Sequence, residues 1–160
     1  QAATAAEGTN SPATGAAAAV AATATRVIRF LDEDGVERHG APSAAAGSLE
    51  GTTAELIEGD VLGARRLTGE VRRVAKLLSP VKDPPAIYGI GLNYPDHAHN
   101  VQNGTLPTSP IVFFKNRNSH NGPGVVEVPP ASTNPDYEAE LVLVFGKTCK
   151  DATVDCPLVW

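Results

Sequence analysis

Two carboxylates stand two residues apart at the head of an apolar run, in the stretch DYEAELVLVF at residues 136–145. Successive side chains on a strand point to opposite faces, so a strand here groups Glu138, Glu140, Val142 and Val144 on one side. Ala139, Leu141, Leu143 and Phe145 fall on the other. The unbroken apolar run from Leu141 to Phe145 predicts a strand over Glu138 to Gly146, covered on both faces. Two like charges at its mouth repel each other and need a counter-charge, a shared proton or open water. Carboxylate oxygens select hard cations, so a buried pair completed by waters would suit Mg²⁺, Mn²⁺ or Ca²⁺. A partly solvated strand end is the alternative, and spacing alone does not separate the two.

His97 and His99 form a second pair. On a strand both imidazoles would share a face and suit a transition metal, as in a cupin-like dioxygenase with Glu138 or Glu140. Pro95 and Asp96 instead predict a turn or helix start, where residues two apart do not converge on one ion. A single neutral imidazole would still serve as a general base toward a metal-bound water. Lys115, after the apolar Ile111 to Phe114, is either a strand end that reaches for water or a cation aimed at an anionic substrate. Gly89 and Gly91 lack the third glycine of a dinucleotide fingerprint, since Tyr94 stands there, and no clear helix pattern follows.

These side chains need elements to hold them. Val27 to Leu31 is strand-like, Asp34-Gly35 signals a hairpin, and Val36 to His39 returns antiparallel. Leu49 to Leu78 is interrupted by Gly51, Gly59, Gly63 and Gly69 and reads as short elements in loops. A proline-rich linker begins at Ser79 and runs into a buried strand, Ala86 to Ile90. Further strands are predicted at Ile111 to Lys115 and Val125 to Val128. The pattern is that of a mainly β (α+β) chain in three parts: a disordered alanine-rich segment over residues 1–25, a small N-terminal β-unit over 26–78, and a main domain over 79–160.

The 160 residues carry a net charge of -5, which argues against nucleic acid or an anionic membrane as partner. No run of about 18 strongly apolar residues occurs, so no membrane-spanning helix is expected. Cys149 and Cys156 have neither a disulfide-framework nor a zinc-type spacing, and thiols in a reducing compartment are expected. The chain has no Met, begins at Gln1 and stops on an apolar Pro157-Leu158-Val159-Trp160, from which truncation at both ends is expected.

Taken together and in order, IYGIGLNYPDHA, PIVFFKN and DYEAELVLVFGK resemble the fumarylacetoacetate hydrolase (FAH) family. The resemblance is carried from about Ser79 onward, and RVIRFLDEDGVERHG and KLLSPV extend it over most of residues 26–160. It implies a mixed β-roll, incomplete here, behind the small N-terminal β-unit. It further implies a divalent metal, Mg²⁺ or else Mn²⁺ or Ca²⁺, on Glu138 and Glu140, with His97 as the base that activates water. Tyr94 and Lys115 fall on positions near the substrate. The implied reaction is hydrolysis, decarboxylation or isomerisation of 1,3-diketo or 2-oxo acids, in a homodimer in the cytoplasm or mitochondria.

Two departures from the family pattern stand out. His99 and Asn100 occupy the positions where many relatives carry an acidic partner for the histidine, and the third metal-binding acid is expected beyond Trp160. A catalytically incomplete family fragment is therefore the main alternative to an enzyme, ahead of the cupin-like dioxygenase.

Overall fold

The computed structural model describes residues 26–45, 47–102, 105–151 and 153. The alanine-rich segment and the chain end expected from the sequence lie outside these residues. The described chain is mainly antiparallel β-structure with little helix.

Five strands build the first sheet: β1 (Ile28–Leu31), β2 (Glu37–Pro42), β3 (Thr53–Gly59), β4 (Arg65–Arg73) and β5 (Lys76–Leu77), in the spatial order β4-β3-β2-β1-β5. The hairpin predicted at Asp34-Gly35 forms, with Phe30 opposite Arg38 and Leu31 opposite Glu37. Asp32 organises its turn. The buried carboxylate accepts the N–H groups of Asp34 and Val36 at 3.0 and 2.8 Å and pairs with Arg38 Nε at 3.0 Å. Burial alone would raise the Asp32 pKa, but the Val36 N–H, the Arg38 guanidinium and the Asp34 N–H outweigh it and hold the carboxyl below its ordinary value. Gly35 at φ 76° supplies the left-handed residue that the turn requires.

Leu49 to Leu78 is more ordered than its glycines suggest, because these punctuate strands and do not end them. Gly59 closes β3 at φ 105°, and a turn headed by Asp60 leads into β4. Gly69 at φ 81° sits within β4, where the pairing jumps from Glu55↔Val71 to Ile57↔Leu67. The extra residues bulge out, and the Gly69 N–H is taken by Glu55 Oε1 at 2.9 Å. Ile28, Phe30, Ala54, Leu56 and Val74 form the core on one face, with Leu49 and Leu77 packed against it.

The second sheet is a pair, β6 (Ile87–Gly91) and β7 (Ile111–Lys115), joined through the helix α1 (Pro95–Gln102). Both strands form where expected, but β6 is not buried as expected: Tyr88 is 58% exposed, because only β7 pairs with it. Gly89 lies opposite Phe113, and a Cβ built there would overlap the Phe113 ring. The glycine pair thus serves close packing of an aromatic ring across the hairpin, which gives Gly89 a structural reason unconnected with dinucleotides. Tyr88 and Phe114, also opposite each other, tilt their rings together at 5.0 Å.

Polar contacts stitch the first sheet to the linker. Arg29 donates to Ser79 O at 2.5 Å and Lys82 pairs with Glu37 at 3.1 Å, while Ser79 Oγ meets His120 Nε2 at 2.7 Å. Residues 125–128 and 138–144 depart from expectation: neither stretch joins a ladder, and Phe145 makes an isolated bridge. A strand needs a hydrogen-bonded neighbour, and the described residues supply none to these stretches. Their side chains remain exposed, Val125 by 82% and Leu141 by 79%. Cys149 is disulfide-bonded, which corrects the expectation of free thiols.

Candidate active site

The site begins where β6 ends. Gly91 closes the strand, Leu92 turns the chain at φ 53°, and Tyr94 leads into Pro95 at the first position of α1. Proline suits that position because its missing N–H would have no helical partner there. Asp96 adds a carboxylate in the first turn, where the helix dipole favours negative charge. Ala98 is fully buried and its N–H binds Tyr94 O at 3.1 Å, which anchors the turn. His97 is thereby held at the helix start with its side chain 41% exposed.

The acidic segment reaches this helix from the far side of the sequence. His97 Nε2 stands 3.7 Å from Glu138 Oε1, longer than a direct hydrogen bond and within ion-pair distance of a protonated imidazole. The Leu141 N–H donates to the Tyr94 hydroxyl at 3.0 Å. Tyr94, His97 and Glu138 are therefore brought together, although Tyr94 and Leu141 are 47 residues apart in sequence.

The remaining predicted residues are placed differently. Glu140 is exposed, two residues beyond Glu138. Lys115 lies at the end of β7 opposite Ile87, with its ammonium 5.7 Å from the Phe113 ring centre. Four strand steps separate that register position from Gly91 opposite Ile111, about 13 Å along the hairpin. His99 is in α1, a helix where the cupin-type arrangement needs a strand, and helical positions two apart do not share a face.

Among the described residues, no three His, Cys, Asp or Glu side chains converge as a metal set. Glu138 and Glu140 nonetheless fit a hard divalent cation by donor chemistry, since Mg²⁺ is commonly held by one or two carboxylates and keeps several waters. The Tyr94 hydroxyl contact with Leu141 was invisible in the sequence, because a phenol opposite a backbone N–H leaves no motif. A tyrosine immediately before a helix-starting proline was the nearest signal.

Known proteins resemble this chain in sequence and in fold. Residues 86–156 match the family described as fumarylacetoacetate (FAA) hydrolase C-terminal. Residues 86–156 belong to the fumarylacetoacetate hydrolase family. The chain is 46% identical to 2,4-didehydro-3-deoxy-L-rhamnonate hydrolase of Sphingomonas sp. (strain SKA58) over 77 residues, 48% of this chain and 27% of that protein. Caffeoylpyruvate hydrolase of Neonothopanus nambi is 32% identical over 86% of this chain and 54% of its own length. A mitochondrial oxaloacetate tautomerase of Xenopus laevis is 42% identical over 47% of this chain and 24% of its own.

A solved structure, an uncharacterized protein from Mycobacterium abscessus, superposes with a TM-score of 0.57 and 32% identity, covering 79% of this chain and 48% of that one. The FAH-like fold is thus shared over the region compared. The chain spans about half or less of the length of these relatives.

Proposed function

We propose that this chain contributes the base and the first two acidic ligands of a divalent-metal-dependent FAH-family hydrolase that cleaves C–C bonds in 1,3-diketo or 2-oxo acids. The observation that carries this reading is the approach of His97 to Glu138, 3.7 Å apart across the fold. Glu138 and Glu140 would hold Mg²⁺, or Mn²⁺ or Ca²⁺, and the ion when bound would polarise the paired oxygens of a dicarbonyl substrate.

The chain's own residues then supply the proton chemistry. His97 takes a proton from water, and the resulting hydroxide adds to the substrate carbonyl carbon. As the C–C bond breaks, its electron pair leaves with the departing enolate, and the imidazolium returns the proton to that carbon. Lys115, about 13 Å along the strand pair from the Gly91 end, would contribute only the longer-range attraction of a cation for an anionic substrate. The cytoplasm or mitochondria, and a homodimer, are the setting that goes with this reading.

The test is pyruvate release from an acylpyruvate in the presence of Mg²⁺, measured on the full-length protein that carries these residues. His97→Ala should lower kcat about 10²- to 10⁴-fold, the range for a lost general base. Glu138→Ala should abolish tight Mg²⁺ binding. Unchanged turnover in the first variant and unchanged metal binding in the second would sink the proposal.

The incomplete-unit alternative draws on the exposure of Leu141, Val142 and Leu143, at 79, 70 and 50%. It predicts no pyruvate release and no saturable Mg²⁺ binding from the same protein.

A further inference from the structure

The segment that carries the acidic pair makes no ladder between Glu138 and Val144, and its apolar side chains are largely in solvent. Neither β-pairing nor burial fixes where its carboxylates point. Two polar contacts do tie it to the start of α1, and they are arranged as rungs. The Tyr94 hydroxyl meets the Leu141 N–H at 3.0 Å, and His97 Nε2 faces Glu138 Oε1 at 3.7 Å. Each side spans four residues, Tyr94 to His97 at the helix start and Glu138 to Leu141 on the acidic segment.

From this geometry we infer that Tyr94 is a positioning residue: its hydroxyl latches the Leu141 backbone and so holds Glu138 beside His97. The inference deepens the reading given under Proposed function and rests on it for the role of Glu138.

The latch is built on stiff backbone. Pro95 restricts the conformation of Tyr94 just before it. Leu92, two residues earlier, sits at φ 53°, a left-handed conformation that a leucine adopts only when its surroundings impose it. The ring itself rotates about few bonds, so little freedom is lost when the hydroxyl is held in place. On the other side, the Leu141 N–H would face water unsatisfied by any strand, and the phenol oxygen takes it instead. With one lone pair so engaged, the hydroxyl retains its proton and a second lone pair. Its first task is therefore toward the protein, which differs from the substrate contact implied by the family resemblance.

Tyr94→Phe keeps the ring and removes the acceptor, so it tests the latch with little threat to folding. Three quantities are read in the full-length protein and in this variant: hydrogen exchange at the Leu141 amide, Mn²⁺ affinity by titration, and the kcat-against-KM split with an acylpyruvate. Exchange at Leu141 should rise about fivefold, the worth of one neutral hydrogen bond, with little change in the core strands of the first sheet. Mn²⁺ affinity should fall by a similar factor, because the latch holds one of its ligands in place.

Unchanged Leu141 exchange overturns the latch. Raised exchange with unchanged Mn²⁺ affinity overturns the positioning role and leaves a merely structural bond. A higher KM with both other readouts unchanged assigns Tyr94 to the substrate and overturns the proposal as well. An unsubstituted protein that binds no Mn²⁺ removes the metal reading itself, a failure visible before any variant is made.

Discussion

Phe30 in β1 is fully buried, whereas Phe114 in β7 is 77% exposed, although each lies near the middle of a short apolar strand. The difference runs through the two sheets. In the first, five strands close over Ile28, Phe30, Ala54, Leu56 and Val74, and loop residues such as Leu49 complete the cover. In the second, two strands leave Tyr88, Val112 and Phe114 between 57 and 77% exposed. A two-stranded pair has too little surface of its own to bury such side chains. The comparison teaches that apolar strand residues become a core only where several strands and flanking residues surround them.

The sharpest way to break this comparison is to truncate one phenylalanine in each sheet. Phe30→Ala should cost about 3–5 kcal/mol, the range for a buried aromatic side chain. Phe114→Ala should cost about 1 kcal/mol or less, the worth of its cross-strand ring contact with Tyr88. Urea midpoints followed by circular dichroism compare the two, and equal losses would show that the hairpin is as well packed as the first sheet.

A second variant probes what order the hairpin does have. Gly89→Val places side-chain atoms where the Phe113 ring lies, and overpacking of this kind costs about 1–3 kcal/mol. Adding Phe113→Ala should recover most of that loss, since the clash then has no partner. A double-mutant cycle with no coupling would mean that ring and glycine do not touch.

The smallest effect concerns the turn of the first sheet. The folded Asp32 carboxyl titrates below its ordinary value of 3.8, so the unfolded chain binds the proton more readily. The contribution of Asp32 to stability is then fully present above about pH 4 and is lost as pH falls through the folded value. Asp32→Asn should flatten this acid limb of a stability-against-pH profile, and an unaltered limb would remove Asp32 as its source. The second sheet offers no equivalent buried carboxylate among its described residues, so Phe114→Ala should leave the acid limb unchanged.

How much was legible from residues alone varied in the same way. The β1–β2 hairpin announced itself through turn chemistry, and strands β6 and β7 through short apolar runs between proline-, glycine- and asparagine-rich loops. The β3–β4 hairpin was hidden because Gly51, Gly59 and Gly69 read as breaks, whereas their positive φ angles shape turns and a bulge. The expected strand over residues 138–146 failed for a different reason. Its apolar pattern is genuine, but pattern does not create the neighbouring strand that would pair with it.

The candidate site divides along this line. Residue types by themselves determined that Glu138 and Glu140 suit a hard cation, that His97 suits a base, and that Pro95 opens a turn or a helix, whereas the helix that follows it left no clear pattern in the sequence. Those are properties of functional groups and of nearest neighbours in the chain. Only the tertiary structure decided that Glu138 stands beside His97, that the Tyr94 hydroxyl is taken by Leu141, and that Lys115 lies at the other end of the hairpin. Such juxtapositions join segments some 40 residues apart, and they depend on how strands, turns and a helix start are packed, which no local spacing encodes.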